Sequence, residues 1–142
     1  MNDGDAVQVS AQNFTSQNAL EECLVQAQAG EVSVGEFLEL LLVSNVVVLL
    51  DNEIKGDTWN NSSRPLILRS PTGRDVLALF SSLDRATPWS ARMPEYKFAL
   101  EAPFAWIIKS VGAQLGIVMN PGHPVGVEIT PEQIAELRSR GR

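Results

Sequence analysis

Residues 45–50 read NVVVLL, and no other stretch of the chain limits its fold so sharply. The run is apolar after its first residue and rich in β-branched side chains, the composition of a strand buried on both faces. Such a strand needs neighbours to pair with and a layer over each side. With 142 residues the chain can build one sizeable core and has little material for a second. Helical and strand patterns alternate along it, with hairpin signals between them. The reading is therefore an α/β (α+β) fold: a single-domain mixed β-sheet flanked by helices, with an N-terminal helix pair and a C-terminal helix. That domain is expected over residues 16–142, after a polar, flexible leader at residues 1–15.

Local signals place the elements. Asn18 and Glu21 have capping-box spacing, Leu20, Cys23, Leu24 and Ala27 recur at helical intervals, and Gly30 supplies a left-handed stop. Ser33 and Glu36 open a second helix with Phe37, Leu38, Leu41 and Leu42 as its apolar stripe. A polar loop at 51–64 contains Trp59. Runs at 66–69 and 76–80 flank SPTGRD, so a β-hairpin is expected there. A short helical turn at 82–86, with a serine cap, gives way to an irregular stretch at 87–95, and 96–100 reads as a strand. Residues 103–111 fit a helix opened by Pro103 and closed by Gly112, with a strand as the rival reading. Strands at 116–119 and 125–129 enclose a turn at 120–124. Thr130, Pro131 and Gln133 then open a last helix whose Ile134 and Leu137 face the core.

The net charge of −6 is unevenly divided. Residues 1–63 hold ten acids and one base, which gives −9, and residues 64–142 hold seven acids and ten bases, which gives +3. A dipolar chain of this kind can steer a charged partner or pair head to tail. Nucleic acid is not an expected partner. It calls for a basic stripe, and the basic cluster here is the short end at Arg138, Arg140 and Arg142. No apolar run approaches the ~20 residues that span a bilayer. The N-terminus has acids where a signal peptide has bases. A cytoplasmic protein with no membrane partner is expected. The single cysteine, Cys23, excludes an internal disulfide and suits a reducing compartment. Its place on a helical stripe reads as an inert core thiol.

Catalytic and metal chemistries find little support. Ser81 or Ser82, with Asp84 and His123, could be drawn as a Ser-His-Asp set. The chain has no G-x-S-x-G elbow, however, and Ser82 reads better as a helix cap. Structural zinc wants four Cys or His ligands, and the chain has one of each. Asp51, Glu53 and Asp57 lack the calcium-loop pattern. No glycine-rich phosphate loop with its lysine occurs. Neither a cofactor nor a metal is expected.

The aromatic residues are more informative. Trp106 lies in an apolar run and belongs to the core. Trp59 lies in a polar segment near Arg64, and Trp89 lies between Arg85 and Arg92. Trp and Arg are the residue types most enriched at binding hot spots. The alternative is a loop tryptophan folded back over the core. The histidine of the chain, His123, sits in the NPGHP turn, where Pro124 biases it toward extended backbone.

Four segments in order then carry a resemblance. They are LEECLVQAQAG…VGEFLELLLVSNVVVLL; PLILRSPTGRDVLALFSSLDRATPW, with Phe80, Ser82 and Trp89; GIVMNPG, with Asn120, Pro121 and Gly122; and ITPEQIAEL. Together they resemble the N-terminal domain of the SseB family, named for enhanced serine sensitivity, over roughly residues 18–138. The resemblance implies no agreed enzymatic activity. Some relatives appear beside toxin or secretion systems, so it permits an interaction or immunity role. The leading expectation is a non-catalytic binding module for a protein partner. Arg85, Trp89 and Arg92 would stand on one side of a groove, with Asn120, Gly122 and His123 across it. Arginine supplies directional hydrogen bonds, tryptophan a buried anchor, and the turn its backbone groups and a pH-sensitive rim histidine. A second expectation is an immunity-type protein that offers the −9 half to a basic toxin, and a third is a small enzyme centred on His123. A homodimer is compatible with all three.

Overall fold

The structure is a computed structural model that describes residues 18–54, 59, 63–71, 73–111 and 114–140. The expected leader, Asp57 and the Gly112 stop lie outside the described residues. Helix α1 (Ala19–Gln28) starts where Asn18 Oδ1 accepts the Glu21 amide at 2.8 Å. It ends ahead of Gly30, whose φ of +81° is left-handed. Helix α2 (Val34–Leu42) has a complete capping box. The Ser33 hydroxyl accepts from the Glu36 amide at 3.0 Å, and the Glu36 carboxylate accepts from the Ser33 amide at 2.9 Å. Strand β1 (Asn45–Leu50) follows, then the hairpin of β2 (Ile67–Arg69) and β3 (Asp75–Phe80) expected around SPTGRD. Helix α3 (Leu83–Arg92), β4 (Phe98–Pro103), α4 (Phe104–Ser110), β5 (Gly116–Met119), β6 (Val127–Ile129) and α5 (Pro131–Arg140) complete the order. At the start of α5 the Thr130 hydroxyl accepts from the Gln133 amide at 3.1 Å, and Gln133 Oε1 accepts from the Thr130 amide at 2.9 Å.

Several boundaries depart from the sequence reading. The short turn at 82–86 is the first half of α3, and most of the stretch expected to be irregular is helical. Pro88 lies inside that helix and lacks the amide that would close on the Asp84 carbonyl. The helix persists because Ala86 and Trp89 pack on the sheet beneath it. Ser82 holds the N-cap position, but its side chain makes no capping bond. Strand β4 begins later than expected and runs to Pro103, so that proline closes a strand and serves as the N-cap of α4. Residues 104–110 are thus helical, not a strand. The return strand expected at 125–129 narrows to Val127–Ile129.

The sheet has six strands in the order β4-β1-β3-β5-β6, with β2 also on β3. All pairings are antiparallel except β3 with β5. Strand β1 pairs with the end of β3, Val47 opposite Phe80, and β2 takes over toward its start, Ile67 opposite Leu77. The parallel β3–β5 pair requires a crossover, which α3, β4 and α4 supply. Every residue of β1 after Asn45 is buried. On one face Val46, Val48, Leu50, Leu77, Leu79 and Ile117 pack with α1, α2, α4 and α5. On the other, Val47, Leu49, Ala78 and Phe80 pack with α3. The mixed sheet flanked by helices is therefore present, with unequal layers. No helix among the described residues is long and apolar enough to cross a membrane.

The β5–β6 connection is built around a close backbone approach. A Cβ added at Gly126 would lie 2.5 Å from the Met119 carbonyl oxygen and 3.1 Å from that of Asn120. The Gly126→Ala substitution is therefore expected to destabilise the fold by about 1–3 kcal/mol. A denaturant melt checks this, with Gly35→Ala, on the open side of α2, as the mild control.

Candidate functional site

A buried charge organises the end of β3. Glu21 follows Leu20 and precedes Leu24 on α1, and it is fully buried with both. Its carboxylate receives Arg85 in a fork, Nη2 to Oε1 at 2.9 Å and Nε to Oε2 at 3.1 Å. The Ser81 hydroxyl donates to Glu21 Oε2 at 2.5 Å and accepts from Asn120 Nδ2 at 2.9 Å. Asn120 Oδ1 in turn accepts the Ser81 amide at 3.0 Å, and Asn18 Nδ2 donates to the Ser81 carbonyl at 3.0 Å. Asn120 has a φ of +56°, a left-handed backbone that asparagine tolerates better than most residues. The network joins α1, the β3–α3 junction and the turn after β5. A buried carboxylate is costly unless paired and hydrogen-bonded, and this one is both.

Above that network lies a surface. Trp89 Nε1 donates to the Pro121 carbonyl at 2.6 Å. Gly122, at φ +80°, lets the turn pass against the indole, since an added Cβ there would sit 3.3 Å from the ring. The Arg92 guanidinium stacks over Trp89, 4.7 Å from its centroid. His123 Nε2 lies 2.7 Å from the Arg85 carbonyl oxygen. A carbonyl can only accept, so this contact places the ring proton on Nε2. Beside Pro121 an open groove of about 150 Å³ runs over Leu68, Val76 and Val118 to Glu128 on β6.

The six residues singled out in the sequence thus come together, in two layers. Arg85 and Asn120 lie beneath, where Arg85 faces Glu21 and Asn120 is 1% exposed. Trp89 and His123 are half-buried, and Arg92 and Gly122 are exposed. Sequence reasoning missed Glu21 and assigned it to a capping box. It did not register an acid adjoining the core-facing stripe of α1, the signal that was present. Ser81 is a member of the buried network, and its hydroxyl hydrogen is directed to Glu21 while His123 Nε2 is directed to Arg85. Trp59 folds back over the core. It stacks on Trp106 at 5.9 Å between centroids and donates to the Ser63 carbonyl at 2.7 Å. Among the described residues, no group of three or more His, Cys, Asp or Glu side chains is placed to hold a metal ion.

Residues 20–136 match the family model described as the SseB protein N-terminal domain, which is most of the chain. No curated protein and no solved structure matches it.

Removing one member of the ion pair leaves the other charged and buried. Glu21→Ala is expected to cost about 3–5 kcal/mol in a urea melt. Glu21→Met combined with Arg85→Met should cost well under the sum of the two single changes, a coupling that a double-mutant cycle measures directly. Cys23 offers a separate check. Burial pushes its thiol pKa up, and the nearby Glu36 charge adds to the effect. The folded chain should therefore be alkylated by iodoacetamide near pH 8 more slowly than the urea-unfolded chain, as read by mass spectrometry.

Proposed function

The chain belongs to the SseB family, whose N-terminal domain it matches, and we propose that it is a non-catalytic protein-binding module acting through the face formed by α3 and the 120–124 turn. The observation that carries this reading is the platform of Arg92 over Trp89, pinned to the Pro121 carbonyl beside an apolar groove. A preformed aromatic and cationic surface has less side-chain freedom to lose on binding. It also joins the two residue types that dominate interface energetics. Trp89, Arg92, Gly122 and His123 form the contact surface in this reading, and Arg85 and Asn120 hold it from beneath. The hydrogen bonds of Ser81 to Glu21 and of His123 to Arg85 support the non-catalytic assignment. A cytoplasmic site of action, with Cys23 kept reduced, belongs to the same reading.

An immunity-type role is the second reading. Glu22, Glu31 and Glu36 are exposed along the α1–α2 layer, on the side of the sheet opposite α3. That layer would meet a basic toxin by charge, and its association would weaken steeply with salt.

Affinity capture from the native cell, with the full chain as bait, separates these. Arg92→Ala and His123→Ala should each lose most of a partner held at the α3 face, while Lys109→Ala on α4 retains it. Full retention by both variants removes that face from the reading. Capture that is lost with added salt yet indifferent to Arg92→Ala favours the acidic layer.

A further inference from the structure

The sheet ends at β6 on one side and at β4 on the other. Strand β6 has 3 residues, whereas β4 has 6, which pair with β1 in unbroken register and with no described residue on their outer side. An open edge of that length is a template for another strand. The proline that could blunt it, Pro103, stands at its last position. The ladder fixes where the main-chain groups of β4 point. The Leu49 carbonyl accepts the Leu66 amide at 3.0 Å, and the Asp51 amide donates to the Arg64 carbonyl at 2.9 Å, so residues 49 and 51 turn away from β4. Val48 and Leu50 therefore turn toward it and meet Leu100 and Phe98. The Phe104 amide, bonded to the Ser44 carbonyl at 2.9 Å, keeps the same phase. The amides and carbonyls of Ala99 and Glu101 consequently point outward from the edge, and the alternation carries on to Lys97. Side chains alternate as well. Phe98 and Leu100 are half-buried against the larger core, while Lys97, Ala99 and Glu101 are exposed. Lys97 Nζ lies 5.7 Å from the Phe98 ring centroid, and among the described residues neither Lys97 nor Glu101 forms an ion pair.

Such an edge is complementary to itself in one register. A two-fold axis through Ala99 sets an antiparallel second copy with Ala99 opposite Ala99, Lys97 opposite Glu101 and Phe98 opposite Leu100. The first two kinds of pair have outward main-chain groups on both strands, so they exchange amide-to-carbonyl bonds. The Phe98–Leu100 pairs between them have no such bonds and bring their apolar side chains closer, on the face of the larger core. Other registers are worse. An axis at Leu100 puts Lys97 opposite Pro103, which has no amide, and an axis at Glu101 sets two carboxylates against each other. We propose that β4 pairs with β4 of a second copy in the Ala99-centred register, joining the two sheets into one. Main-chain bonds supply the affinity, and the Lys97–Glu101 and Phe98–Leu100 pairs supply the register. This edge lies at the opposite end of the sheet from β6, so it leaves the groove beside β6 free.

The test is self-association of the full chain by sedimentation velocity, from about 1 μM to about 1 mM, a range that brackets weak and moderate dimers. The wild type should move from 15.5 kDa toward twice that mass as concentration rises. Ala99→Pro removes an amide that β1 does not use, so an edge strand accepts it, but the central bonds of the dimer are lost. It should weaken association about tenfold or more. Lys97→Glu and Glu101→Lys each set like charges opposite one another at both contacts and should weaken it by a similar factor. An equimolar mixture of these two reversals restores both opposite-charge pairs and should dimerise as the wild type does, as should the chain carrying both changes. Amide hydrogen exchange gives a second readout: Ala99 and Glu101 should gain protection with concentration, while Leu100 is protected throughout. Coincident thermal melts confirm that the variants fold, and if Ala99→Pro does not, the reversals decide. A wild type that stays monomeric overturns the proposal. So does a dimer indifferent to Ala99→Pro or to either reversal, or a mixture that fails to associate. A monomeric wild type that loses a captured protein on Ala99→Pro assigns the edge to a foreign strand and likewise overturns the second copy.

Discussion

The fork between Glu21 and Arg85 is the interaction on which the rest depends. The two residues stand 64 positions apart and meet where burial is complete for the carboxylate. Coulomb attraction alone does not favour burying such a pair over well-packed apolar side chains. The fork adds directional bonds, and Ser81 and Asn120 extend it. These contacts make the positions of α1, the β3–α3 junction and the β5 turn interdependent. A shift in any one of them breaks a hydrogen bond in a dry environment, where an unmet polar group is costly. The pair is therefore best understood as specifying one arrangement of these elements.

The rigidity of the upper surface follows from this. Arg85 sits one helical turn before Trp89 on α3, and Asn120 directly precedes Pro121. Fixing Arg85 and Asn120 from below sets the distance between α3 and the turn, and so allows the indole N–H to reach the Pro121 carbonyl. Arg92 then has a stationary ring to stack on. A cation held by an aromatic ring and not by a carboxylate keeps its charge available to a partner.

The unequal layers of the sheet supply the second constraint. Four helices bury one face and α3 covers β1 on the other, so β1 is apolar on consecutive residues. The single helix on the other face leaves the β5–β6 side open, which is why Val118 is only partly buried while Ile117 is fully so. Neighbouring residues of one strand thus report the two environments. The groove is a product of topology: the crossover after β3 places α3 over β1 and β3, with nothing described to follow it over β6.

How much of this was legible in the chain differs from element to element. The box at Ser33 and Glu36, the one at Thr130 and Gln133, the left-handed stop at Gly30 and the doubly buried β1 rest on neighbours within a few residues. Local chemistry therefore determined them, and the family resemblance followed from their order. The second half of α3 was not legible, because Pro88 carries a real local penalty and only packing of Ala86 and Trp89 on the sheet outweighs it. Glu21 misled for the same kind of reason. Its spacing from Asn18 fits a capping box, yet a charge placed in the core responds to the strongest partner that the fold brings to it. Trp59 had no local cue that Trp106 would receive its ring. The sequence by itself thus determined most of the helices and strands, though not the second half of α3, and which residues are candidates for contact. Only the tertiary structure decided which candidates lie beneath the surface and which lie on it, because burial and ion pairing are set by residues far apart in the chain.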